Sequence, residues 1–188
     1  CVGFNINLER AILMLKHHPE YQHILIAHTE VMSELLVNCK DFVPFTTFGD
    51  AAAAVVLSRV QSDTPEGVTE IINHEDLKMI DFLGADASGN LYMEPRVVKS
   101  RAVPDMTVAV NTLLKRSNWT LDDISVFVPH QTGNAIVHEV GMNCNIPQDK
   151  VYQEIQLEFG NLSGASVPTA MHQLSRKGAL HSGDKLLT

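Results

Sequence analysis

Apolar side chains recur at helical spacing from Phe4 through Leu8, Ile12 and Leu15, with Ala11 and Met14 beside them, until Pro19. This predicts a helix that begins just after Cys1. Ile24-Leu25-Ile26-Ala27 is a short, wholly apolar run and predicts a buried strand. A turn over Phe48-Gly49-Asp50-Ala51 leads into a second one, Ala52-Ala53-Ala54-Val55-Val56-Leu57, whose alanines imply a closely packed neighbour. Val68 to Ile72 predicts a further strand, and Gly84 to Asn90 has the composition of an exposed loop. Pro104 and Asp105 predict the start of a helix bearing Val108, Leu113 and Leu114 and ending near Ser117-Asn118. Val126-Phe127-Val128 predicts a strand cut off by Pro129-His130-Gln131, followed by a helix over about Asn134 to Gly141 with Ile136, Val137 and Val140 inward. Val151 to Ile155 is a candidate strand. Ser166 as N-cap and Pro168 in the first helical position predict a last helix, with Val167, Ala170, Met171 and Leu174 on one face and Gly178 closing it. Strands alternating with helices imply a layered α/β fold with a largely buried sheet. The polar stretch Gln61 to Gly67, with Pro65, marks a boundary between a unit over 1–60 and one over 61–188.

Composition narrows the function classes. With 188 residues, 45% of them hydrophobic, the chain has ample material for a core. A formal charge of -8 and scattered basic residues exclude a nucleic-acid-binding surface. No stretch has the length and apolarity of a membrane span. Three cysteines at unrelated spacings suit free thiols in a reducing cytosol, which points to a cytoplasmic protein. A chain that opens on Cys and closes on the strand-like Asp184-Lys185-Leu186-Leu187-Thr188 reads as part of a longer protein.

Three stretches carry candidate chemistry. His130 stands at the carboxyl end of an apolar run, where ligands of open α/β sheets collect. Cys1 heads a helix, a position whose dipole and free N–H groups favour the thiolate. Asn161 lies in Phe159-Gly160-Asn161-Leu162-Ser163-Gly164-Ala165-Ser166, which by itself could be only a turn into a helix. Cys39 and Cys144 read as ordinary small hydrophobes. Cys1 as an N-terminal nucleophile or a lipid-bearing residue fits poorly with the helix that follows it. His17, His18 and His23 lack matching Cys or carboxylate spacing, so they read as a solvated helix end rather than a metal site.

Taken in order, Cys1-Val2-Gly3-Phe4, Phe48-Gly49-Asp50-Ala51-Ala52, Pro129-His130-Gln131 and Gly160-Asn161-Leu162-Ser163-Gly164-Ala165-Ser166-Val167-Pro168 resemble the ketoacyl synthase III branch of the thiolase superfamily. The resemblance runs over essentially the whole chain and corresponds to the family's part beginning at its catalytic Cys. It implies a thiolase-like αβαβα sandwich, incomplete here because the N-terminal part and the last, glycine-rich strand are missing. It also implies that Cys1, His130 and Asn161 are catalytic, with no metal and no permanently bound cofactor.

The substrates so implied are thioesters of coenzyme A or acyl carrier protein. An acyl group from acyl-CoA or acyl-ACP would pass to Cys1, and a malonyl thioester would then undergo decarboxylative Claisen condensation, in fatty acid or polyketide-type biosynthesis. The family usually forms homodimers. The sequence departs from it after Pro129-His130-Gln131, where Thr132-Gly133-Asn134-Ala135 replaces a segment with a basic residue that helps dock the carrier protein, and around Ala102-Val103-Pro104, where the Gly-Asn contact to the pantetheine arm is unrecognisable. Such changes are typical of specialised relatives. Two alternatives remain open: a relative that transfers an acyl group or joins two acyl chains without a malonyl unit, and a non-catalytic subunit that pairs with an active homologue. With flanking strands absent, the isolated chain is expected to be inactive and prone to self-association.

Overall fold

The computed structural model describes residues 1–39, 41–64 and 66–188. Helix α1 (Gly3–His17) buries Phe4, Ala11 and Leu15, the face anticipated from the apolar spacing. Strands β1 (His23–Glu30) and β2 (Ala51–Ser58) form an antiparallel ladder that pairs Ile26 with Val55 and His28 with Ala53. The short helices α2 (Met32–Leu36) and α3 (Phe42–Thr47) connect them. Burial alternates along both strands, and the covered face packs against α1 and Val167. Leu25 and Val56 are more than half exposed, whereas Ile26 packs with Phe4, Ala11 and Val167.

Strands β3 (Leu83–Ala85) and β4 (Leu91–Met93) make a hairpin, so the expected loop at Gly84 to Asn90 is in fact strand at its first two residues and turn thereafter. Asp86 accepts the N–H groups of Ser88 and Asn90 and shapes that turn. Val68 to Ile72 forms no strand. Its β-branched residues have the propensity, but no ladder partner is offered to them. Pro65 lies outside the described residues. The neighbouring Gln61 to Thr64, Glu66 and Gly67 are exposed and irregular.

Helix α4 (Pro95–Ser117) starts nine residues earlier than the sequence suggests: Pro95 takes the helix start and Pro104 sits inside. Asn118, in the left-handed conformation, ends it where expected. Strand β5 (Val126–Phe127) pairs in parallel with β6 (Leu186–Leu187), and Phe127 also bridges Val151. Helix α5 (Asn134–Asn143) covers this small sheet with Ile136, Val137 and Val140. Only Val151 of the candidate strand Val151 to Ile155 pairs as a strand; Ile155 belongs to helix α6 (Glu154–Phe159) and is fully buried there. Helix α7 (Ser166–Arg176) opens at Ser166 itself, with Pro168 in its first turn, and Ser166 makes no cap bond. A core of Val128, Tyr152, Ile155, Leu162, Ala170 and Leu174 joins α6 and α7 to the end of β5.

Two backbone hydrogen bonds tie the Asn161 segment to the residues leading into β2. Asn161 N–H donates to Thr47 O at 2.8 Å, and Gly49 N–H donates to Asn161 O at 3.1 Å. Gly49 is required for this approach: a β-carbon there would lie 2.3 Å from the Phe159 carbonyl oxygen, a backbone atom that cannot swing away. Gly49→Ala is therefore expected to destabilise the fold by about 1–3 kcal/mol, as overpacking does, measured as a lower urea midpoint at an unchanged slope. An unaltered midpoint would show that this approach carries no strain.

Candidate active site

Cys1 is exposed and stands two residues before the first residue of α1, so the helix's free N–H groups lie on its side. The other two thiols differ. Cys144 is buried, and burial pushes its pKa up, which suppresses its thiolate; Cys39 is half-buried in a small cluster with Leu36 and Leu91.

The Asn161 segment reaches Cys1 through Ser163. Gly160 turns the chain at φ 77°, with Thr47 O only 2.7 Å from where a β-carbon would stand. Ser163 adopts φ 49°, a left-handed conformation uncommon outside glycine. That twist lets its N–H donate to Asn161 Oδ1 at 2.8 Å while its hydroxyl lies 3.8 Å from Cys1 Sγ. Asn161 is 5% exposed. Its carbonyl end is thus occupied, and among the described residues no group bonds its NH₂, which is left to donate elsewhere.

His130 follows Phe127, Val128 and Pro129, all buried. The chain around it is clamped by Gln131, fully buried, whose Nε2 donates to Pro129 O at 2.8 Å and Tyr152 O at 3.0 Å. The His130 ring nitrogen Nε2 is buried with no hydrogen-bond partner. Burial pushes its pKa down from the ordinary 6.5. The imidazole is therefore neutral at pH 7. Thr132 Oγ1 and Asn134 Oδ1, close to it in the chain, are likewise buried and unpartnered.

The structure brings the Cys1 and Asn161 segments together through Ser163, and it buries the His130 ring nitrogen Nε2 just past the end of β5. Sequence reasoning overlooked Ser163 and the pair His28 and Glu30. The signal for His28 and Glu30 was the period-2 continuation of Ile24 and Ile26 to 28 and 30. His17, His18 and His23 are exposed; His18 stacks on Tyr21, and His23 pairs with Ser58 Oγ at 2.9 Å.

Comparison with known proteins matches most of the chain to one family. Residues 1–76 match the family described as 3-oxoacyl-[acyl-carrier-protein (ACP)] synthase III, and residues 114–188 match its C-terminal part. A beta-ketoacyl-[acyl-carrier-protein] synthase III of Aquifex aeolicus is 30% identical over 187 residues, spanning 100% of this chain and 59% of the relative. A crystal structure of the synthase III from Aquifex aeolicus superposes with a TM-score of 0.91 at 28% identity, over 99% of this chain and 59% of that one. The priming beta-ketosynthase of the R1128 polyketide pathway superposes with a TM-score of 0.87 at 28% identity, over 99% and 58%. The chain thus spans about three-fifths of the length of these relatives, and its fold is thiolase-like.

Proposed function

The chain belongs to the 3-oxoacyl-[acyl-carrier-protein] synthase III family of the thiolase superfamily, and from that premise we propose that the protein it forms is a condensing acyltransferase in fatty acid or polyketide-type biosynthesis. The observation that carries this reading is the approach of Ser163 Oγ to Cys1 Sγ at 3.8 Å, which puts the exposed thiol beside the segment that presents the Asn161 amide. Thiolate is a good nucleophile and a good leaving group, as an acyl relay requires. Cys1 attacks the carbonyl carbon of an acyl thioester, its charge passes to the carbonyl oxygen, and the tetrahedral adduct expels the donor's thiolate. An acyl-Cys1 remains.

A malonyl thioester then breaks its bond to the carboxylate. Carbon dioxide leaves, and the electron pair becomes an enolate whose charge rests on the thioester oxygen. Nε2–H of neutral His130 and the NH₂ of Asn161 are the donors proposed for that oxygen; a cationic imidazole is not needed, in keeping with the low His130 pKa. The enolate carbon attacks acyl-Cys1, the C–S bond breaks, and a 3-oxoacyl thioester departs with the thiolate restored. The acyl groups arrive on coenzyme A or acyl carrier protein, so the steps call for no permanently bound cofactor. Homodimeric assembly in the cytoplasm is part of the same proposal. Among the described residues, no helix is long and apolar enough to cross a membrane.

The deciding measurement is carbon dioxide release from a malonyl thioester by the full-length protein preloaded with an acyl-CoA. Release in step with 3-oxoacyl product is expected. Acyl transfer with no release would replace condensation with plain transfer or with the joining of two acyl chains.

A further inference from the structure

The inward face of β1 changes character along its length. Ile24 and Ile26 pack against the α1 and α7 core, and His28 and Glu30 continue the same side-chain direction. These two polar side chains keep only 13% and 21% of their exposure, and His28 Nε2 lies 2.6 Å from Glu30 Oε1. The same carboxylate oxygen accepts the Gly164 N–H at 3.1 Å. Across the ladder His28 and Glu30 face Ala53 and Ala51, small residues that leave them room.

Two glycines on other elements shape the rest of the niche. A β-carbon on Gly164 would lie 2.0 Å from His28 Nε2, and one on Gly3 would lie 2.7 Å from His28 Cε1. Gly3 follows Cys1 by two residues. Gly164 follows Ser163, which holds Asn161 Oδ1 and approaches Cys1 Sγ. The imidazole is consequently packed against the backbone that carries the thiol and against the backbone that carries the amide.

We propose that His28 and Glu30 are a positioning pair for the condensing reaction. His28 sets the spacing between the Cys1 and Asn161 segments, and Glu30 anchors the latter through Gly164 N–H. The proposal rests on the condensing reading above. Neither side chain is hydrogen-bonded to the side chain of Cys1, His130 or Asn161 among the described residues, so the effect runs through backbone placement. Displacing a reacting group by about 1 Å costs on the order of a hundredfold in rate.

Two readouts test the pair in the full-length protein: steady-state condensation, and amide hydrogen exchange over residues 160–166 followed by mass spectrometry. His28→Ala is expected to lower kcat by about ten- to a hundredfold with little change in KM for the acyl donor, and to speed exchange in that segment. His28→Gln, whose amide nitrogen can take the place of Nε2 as donor to Glu30, is expected to recover most of kcat and the slow exchange. Equal losses in the Ala and Gln variants would reduce His28 to a space-filling side chain and overturn the proposal. So would turnover and exchange in His28→Ala that match the parent. A parent protein that releases no carbon dioxide would sink the condensing reading alone, and the exchange comparison would still decide whether the pair holds the segment.

Discussion

Cys1→Ala in the full-length protein is expected to remove every acyl adduct formed with an acyl-CoA, leaving condensation at or below detection. The parent should gain one acyl group, located on Cys1 by peptide mass spectrometry. The expectation follows from three different thiol environments. Cys1 is exposed and sits at a helix start, Cys39 is packed among apolar side chains, and the Cys144 thiol is buried with its pKa pushed up. Thiolate, not thiol, is the attacking species, so the helix start favours it at Cys1 while burial opposes it at Cys144. An adduct that persists in Cys1→Ala on either of the other two thiols would mean the relay was assigned to the wrong sulfur.

The parts of the fold that were legible in the sequence are those where one local rule acted alone. Phe4, Ala11 and Leu15 mark one helical face, and that face is buried. The errors arise where two rules compete. Pro104 looks like a helix start because proline lacks the N–H that a helix interior uses, yet Pro95 offers the same start earlier and α4 continues through Pro104. Val151 and Ile155 are spaced four apart, which fits either a short strand or one helical turn; pairing with Phe127 claims the first and burial in α6 claims the second.

At the candidate site the same division holds. Cys1, His130 and Asn161 stood out because each sits in a short motif of unusual composition, and the structure links the Cys1 and Asn161 motifs through Ser163. His28 and Glu30 did not, since the apolar run that signalled β1 stops at Ala27 while the ladder carries on to Glu30. Ser163 was hidden for another reason. Its importance comes from a backbone conformation, φ 49°, that no residue type in the motif announces.

Asn161→Ala and His130→Ala are expected to leave acylation of Cys1 nearly intact while cutting carbon dioxide release by about 10²–10³, or about 3–4 kcal/mol in the barrier, as for one lost preorganised donor. The split follows from where charge develops. During acylation the new negative charge lies on the acyl carbonyl oxygen beside Cys1, whereas decarboxylation puts it on the thioester oxygen of the malonyl unit, the position assigned to His130 Nε2 and the Asn161 NH₂. Both donors are set before substrate arrives: Asn161 Oδ1 is fixed by Ser163 N–H, and the peptide beside His130 is clamped by Gln131. Burial lowers the His130 pKa from 6.5, so in the parent any loss of decarboxylation caused by protonating this ring should fall below about pH 6 rather than near neutrality. Single-turnover assays can separate the two steps, following acyl-Cys1 by mass and carbon dioxide by label release. Equal loss of both steps in either variant would show that the donor acts on the acylation oxyanion as well, and the division of roles between Cys1 and the His130 and Asn161 pair would have to be redrawn.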